Sequence, residues 1–206
     1  CLSEMGGSHI RSLDGSDSIV VVVGEKGAAQ RRLHISGDAG HGSVPYGRSS
    51  ALEVLAEVSR RLSAAELPLA ADALWAGFVR AFGFDEGLED ALIAGRTDFS
   101  AFGDLAAYAH AVSRLTIAQT VARAGGPINV LPSSAILELD IRTLPGQDDD
   151  TVDAALREAL GDLAPRVRIE RLLCEPASAS PTDTRLYRSI EKVLASQHPG
   201  SRVLPV

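Results

Sequence analysis

Between Ala28 and Leu173 the spacing of apolar residues changes from strand-like to helix-like and back, twice, and that order restricts the fold more than any single residue does. Ala29, Arg31, Leu33 and Ile35 frame a strand whose alternation is imperfect. Ala51, Leu52, Val54, Leu55, Val58 and Leu62 then recur at helical spacing, with Glu53, Glu57, Arg60 and Arg61 off the stripe. Ser49 or Ser50 suits the N-cap of that helix. Leu115 to Ala122 reads as a strand, ended by Gly125-Gly126-Pro127, and Ile136 to Arg142 as another, polar at Glu138, Asp140 and Arg142. Asp148 to Asp150 suit a helix N-terminus. Val152, Ala155, Leu156, Ala159 and Leu160 build an amphipathic helix ending at Gly161, and Val167 to Leu173 is the last strand.

Strand, helix, strand, strand, helix, strand is the split βαβ, ferredoxin-like order. It predicts an α+β fold: a four-stranded antiparallel sheet with two main helices on one face. Residues 67–110 are Ala- and Leu-rich segments broken by Gly83, Gly87, Gly95 and Gly103, expected as two to four short helices forming an insertion. Upstream, Ile19 to Val23 is β-branched throughout and reads as a buried strand, followed by a Gly24-Glu25-Lys26-Gly27 turn. Downstream, Pro176 to Pro181 is a linker, Asp183 or Thr184 caps a helix carrying Leu186, Ile190 and Val193, and Arg202 to Val206 begins a strand. The chain is thus divided at 1–25, 26–173 and 174–206. In this topology the strand at 115–122 lies at a sheet edge, where it is expected to pair with its copy in a two-fold homodimer. The segments 1–18 and 174–206 are expected to be mobile, swapped or repacked, unless Ile19 to Val23 and Arg202 to Val206 pair with each other.

Charge and composition exclude some classes. A net charge of -7 leaves no basic footprint for nucleic acid. No apolar run approaches the roughly 20 residues of a membrane span. With aromatic residues at 4%, the core is expected to be built from Ala, Val, Leu and Ile. Cys1 and Cys174 fit no disulfide or CxxC framework and read as free thiols. The N-terminal residues show no basic or apolar region of a signal peptide, and the chain reads as starting inside something larger.

Four short stretches carry candidate chemistry, each beside a plainer reading. His41, in Gly40-His41-Gly42-Ser43-Val44-Pro45, suits hydrogen-bond donation to a developing oxyanion, or is an idle loop histidine. Asn129 suits an amide donor to a carbonyl or carboxylate, or merely caps a turn. Arg142, at a strand end before Thr143-Leu144-Pro145-Gly146, suits bidentate capture of a carboxylate, or an ion pair with Asp140. Glu4, before Met5-Gly6-Gly7, has a zinc-ligand carboxylate, or is an exposed side chain.

In combination, GEKG, a strand, AGHGSVP, a helix, NVLPSSA and a strand ending DIRTLPG resemble the zinc aminoacylase, acetylornithine deacetylase, succinyl-diaminopimelate desuccinylase and carboxypeptidase family. The EMGG-x(17)-GEKG spacing is most similar to its carboxypeptidase S branch. The resemblance implies a ferredoxin-like lid at 26–173 inserted in an α/β zinc-exopeptidase domain, of which 1–25 and 174–206 are remnants. It implies Glu4 as a terminal metal ligand, His41 as the lid histidine that steadies a tetrahedral intermediate, usually in the opposite subunit, and Asn129 and Arg142 as holders of the substrate's carbonyl and α-carboxylate. It further implies two zinc ions in the parent enzyme, cleaving amide bonds of small peptides or N-acyl amino acids. The family's HxD motif and Glu-Glu pair are absent from this sequence. The chain alone is therefore expected to be inactive and to bind zinc weakly. A cytoplasmic location is the expectation. Two rivals remain: a free-standing ferredoxin-like regulatory module binding a small amino acid at a dimer interface, and an interaction domain in which His41 is incidental.

Overall fold

The computed structural model describes residues 7–67, 69–70, 72–95 and 98–206. Its first segment carries β1 (His9–Arg11), β2 (Asp17–Val21) and β3 (Gly24–Glu25). Next come β4 (Gly27–Ala28), β5 (Arg31–Ser36), β6 (Gly40–His41) and helix α1 (Ala51–Ser63). Helices α2 (Ala73–Arg80), α3 (Glu86–Ile93) and α4 (Ala106–Ser113) follow, with a 3-10 turn at Ser100–Leu105. Then β7 (Thr116–Ala124), β8 (Val130–Leu131), β9 (Ser134–Thr143), α5 (Asp149–Leu160) and β10 (Val167–Arg171) lead to β11 (Ser178–Ala179), α6 (Arg185–Gln197) and β12 (Arg202–Pro205). These elements form two compact units: Lys26–Pro68 with Leu115–Ala177, and Cys1–Glu25 with Leu69–Arg114 and Ser178–Val206.

The first of these, the sheet unit, has the strand order β10-β5-β9-β7, all antiparallel, with β4 extending the pairing along β9. This is the α+β, ferredoxin-like sheet expected from the element order. Alternation along β9 sends Ala135, Leu137, Leu139 and Ile141 into the core and leaves Glu138, Asp140 and Arg142 on the opposite face. Val54, Val58 and Leu62 of α1 and Val152, Leu156 and Leu160 of α5 bury against those side chains. Each such residue contributes roughly 1.5–3 kcal/mol of apolar burial. Ser50 caps α1 in a capping box with Glu53, and α5 ends at Gly161, whose φ of 55° is left-handed.

Arg31 explains the imperfect alternation of the first strand. Its side chain is fully buried, with Nε donating to Asp153 at 2.9 Å and the guanidinium paired to Asp149. Arg171 donates to the same Asp153 at 2.7 Å. A buried guanidinium is tolerable only when its donors meet carboxylates in this way.

The second unit departs from expectation in two respects. Residues 67–110 were expected as an insertion of the sheet unit, yet Leu69–Arg114 packs with the two flanking segments. The reason is aromatic. Trp75, Phe78, Phe82, Phe99 and Phe102 form one cluster with Ile10, Val20 and Leu204, and Phe84 packs against it. All five phenylalanines and the single tryptophan of the chain lie here, so an aliphatic core describes the sheet unit alone. The flanks are also paired: β12 runs parallel to β2, with Val203 opposite Ile19 and Leu204 opposite Val20, and β1 lies on the other side of β2. Thr184 caps α6.

Candidate functional site

His41 sits on a loop closed at its base. Asp38 N–H donates to Ser49 O at 2.7 Å, and Ser49 N–H donates back to the Asp38 carboxylate at 2.8 Å. That backbone donor holds the Asp38 carboxyl below the usual carboxylate range. A Cβ on Gly37 would lie 2.0 Å from Ala51 N, so only glycine lets the chain leave β5 past the start of α1. Arg48 clamps the loop with a 2.7 Å bond to Ala39 O.

The loop meets the segment before β9. β6 pairs β8, setting His41 opposite Val130, and Gly42 N–H donates to Asn129 O at 2.7 Å. Two residues 88 positions apart are therefore neighbours, both exposed. Ser43 fixes the imidazole. Its N–H donates to His41 Nδ1 at 3.2 Å and its hydroxyl lies 2.7 Å from the same nitrogen. A backbone N–H only donates, so Nδ1 accepts, and neutral His41 carries its proton on Nε2. The outward nitrogen is thus a hydrogen-bond donor. Ser43 was not singled out from sequence; its place two residues after the histidine was the available signal.

Around this pair Val44, Tyr46, Ile128 and Val130 are exposed. Such apolar surface around two polar groups is the composition of a face that meets another molecule.

Arg142 lies elsewhere. It stands near the far end of β9, with Ala28 opposite on one side and Thr116 on the other. Eight residues of extended strand from Ser134 to Arg142 span about 26 Å. The structure therefore brings His41 and Asn129 together and keeps Arg142 apart from them within one chain. Its Nε donates to Asp140 at 3.2 Å, so the ion pair foreseen as the plainer reading exists. Its side chain remains 47% exposed, and its terminal nitrogens make no hydrogen bond among the described residues. Glu4 and Cys1 lie outside the described residues, and Cys174 is exposed and not disulfide-bonded.

Zinc takes three or four His, Cys, Asp or Glu ligands. Among the described residues no three such side chains gather into a set able to hold a metal ion. The donor set of those residues does not fit the two-zinc centre that the resemblance implies.

The edge strand carries a different feature. Among the described residues β7 pairs only with β9, with a bulge between Gln119 and Val121. Beside it a groove of about 410 Å³ is lined by Leu52, Leu55 and Ala56 of α1 and Val121 and Ala122 of β7.

Residues 23–168 match the M20 family model described as a peptidase dimerisation domain. Over 97 residues the chain is 27% identical to "Probable carboxypeptidase S-like 2" of Dictyostelium discoideum, a match covering 46% of this chain and 18% of that protein. An M20 family metallo-carboxypeptidase, Sso-CP2 of Sulfolobus solfataricus, superposes with a TM-score of 0.58 at 17% identity, over 97% of this chain and 48% of its own. The aminopeptidase PepT of Bacillus cereus does so with a TM-score of 0.54 at 13% identity, over 91% and 40%. At these identities the two structures show a shared fold. The chain spans less than half the length of either, and the matched stretch less than a fifth of the Dictyostelium protein.

Proposed function

The chain belongs to the M20 peptidase dimerisation-domain family, and from that premise we propose that it joins and caps the catalytic units of an amide-bond hydrolase acting on small peptides or N-acyl amino acids. The unit of Lys26–Pro68 and Leu115–Ala177 is the cap. Residues 1–25 and 174–206 are read as portions of the catalytic domain, and the metal ligands as lying largely in the rest of that domain.

The observation that carries this reading is the separation of His41 and Asn129 from Arg142 along β9, beside an open edge strand. One chain cannot bring the three to one small substrate. Antiparallel pairing of two β7 strands supplies the remedy. It sets the Thr116 end of one strand against the Ala124 end of its copy. Arg142 of one chain then lies at the same margin of the joined sheet as the His41 loop of the other. The two β9 strands are three strand spacings apart, about 14 Å. Exposed apolar side chains around His41 and the groove beside β7 support burial of both surfaces in such a dimer.

In this arrangement His41 Nε2–H donates to the oxygen that gains negative charge as the amide carbonyl is attacked. Asn129 adds an amide donor, and Arg142 of the other chain anchors the carboxylate. Removing one oxyanion donor costs on the order of 10²–10³ in turnover. His41→Ala in the enzyme complete with its catalytic segments is expected to lose that much kcat with its metal content intact. Unchanged kcat would remove His41 from the chemistry.

A further inference from the structure

Asp140 and Arg142 are two residues apart on β9, so both project from the sheet face opposite the helices. On that face Glu138 is matched across the ladder by Arg32 of β5 at 2.9 Å and by Arg123 of β7 at 3.4 Å. Its charge is balanced within the sheet. Asp140 has no such cross-strand cation, because the residue opposite it on β7 is Ala118. Among the described residues its one hydrogen-bond partner is Arg142, whose Nε donates to Oδ2 at 3.2 Å. Oδ1 is buried and has no hydrogen-bond partner among them. A buried acceptor left unpaired lowers stability, so a carboxylate kept in this position calls for a reason outside the fold.

Beside an arginine that captures an anion, a carboxylate has the wrong sign. By charge alone Asp140 repels a substrate carboxylate and weakens its binding. Geometry works in the other direction. The bond from Nε to Asp140 occupies one edge of the guanidinium, and the two terminal nitrogens make no hydrogen bond among the described residues. A guanidinium held at Nε presents those two nitrogens as a fork in a fixed plane, the geometry of bidentate carboxylate capture. Without that bond, a side chain as exposed as Arg142 has rotamer freedom that binding must remove.

We propose that Asp140 is a positioning residue, holding Arg142 by Nε so that its terminal fork faces the substrate's carboxylate, a role that rests on the function proposed above. The ion pair and carboxylate capture are then parts of one device. Asp140 acts only through Arg142, and its geometric contribution outweighs the repulsion of its charge.

The test uses the complete enzyme, with an N-acyl amino acid and its carboxamide analogue as the two substrates. Asp140→Ala is expected to raise KM for the carboxylate substrate about tenfold, with kcat within about twofold, a pattern of lost ground-state binding. Asp140→Asn keeps an acceptor for Nε and removes the charge, and is expected to return KM to within about twofold of wild type. In an Arg142→Met background Asp140→Ala is expected to add nothing, as befits a residue that acts through Arg142. If Arg142→Met raises KM while Asp140→Ala leaves it unchanged or lowers it, Asp140 contributes charge alone; the proposal is overturned and the carboxylate reading stands. A rise in KM that persists in the Arg142→Met background, or equal losses on the carboxamide analogue, would make Asp140 merely structural and also overturn it. If Arg142→Met itself leaves KM unchanged, the carboxylate reading fails and the proposal falls with it.

Discussion

The two units are built from different materials. The sheet unit has an aliphatic core of Leu, Ile, Val and Ala, drawn from strands and helices whose apolar residues recur at regular spacing. The other unit has an aromatic core, in which Trp75 stacks on Phe78 at 5.8 Å and Phe82 meets Phe102 edge-on at 4.8 Å. Regular spacing announces an element and its inward face. Aromatic rings contributed by short helices and turns announce neither, because one ring fills space that several aliphatic side chains would otherwise share.

The sharpest way to break that comparison is to truncate one core at a time. Phe78→Ala is expected to cost about 3–5 kcal/mol, and Leu156→Ala about 2–5 kcal/mol. Native-state hydrogen exchange should show lost protection in α2, α4 and β2 for the first, and in α1, β5 and β9 for the second. Equal loosening of both sets by either substitution would mean a single shared core.

What was legible follows the same division. Helix ends were legible to within a residue, at Ser49 or Ser50, Asp183 or Thr184, and Gly161, because capping is local chemistry, and the caps are Ser50 and Thr184. The alternation of Ile136 to Arg142 fixed the faces of β9. The placement of Leu69–Arg114 was not legible, since nothing local says which core a Phe or Trp will enter. His41 and Asn129 were each picked out from their motifs, but their contact depends on the register of β5 against β9, a long-range property. Ser43 lay inside a quoted motif and acquired a role only when its hydrogen bond to His41 showed where its polar atoms point.

Arg31 is the exception within the regular unit, and it sharpens the comparison. Arg31→Met leaves Asp149 and part of Asp153 uncompensated and is expected to cost about 3 kcal/mol by urea unfolding. Combining it with Asp149→Asn and Asp153→Leu should recover much of that loss, since the penalty comes from stranded carboxylates. No recovery would place the role of Arg31 in packing.

A smaller effect concerns the surface of the sheet unit. Leu52 is exposed at the groove beside β7, so Leu52→Glu should leave the fold unchanged. It is expected to weaken self-association about tenfold, near 1.4 kcal/mol, by sedimentation equilibrium. An unchanged dimer constant would move the interface away from this edge.

Subunit complementation reaches the central claim most directly. His41→Ala and Arg142→Ala forms of the complete enzyme are each expected to be nearly inactive as homodimers. If one chain supplies His41 and the other Arg142, mixing them rebuilds one intact site in each heterodimer and returns about a quarter of wild-type activity. Activity that stays at the level of the separate variants, with heterodimers verified by mass spectrometry, would contradict the account.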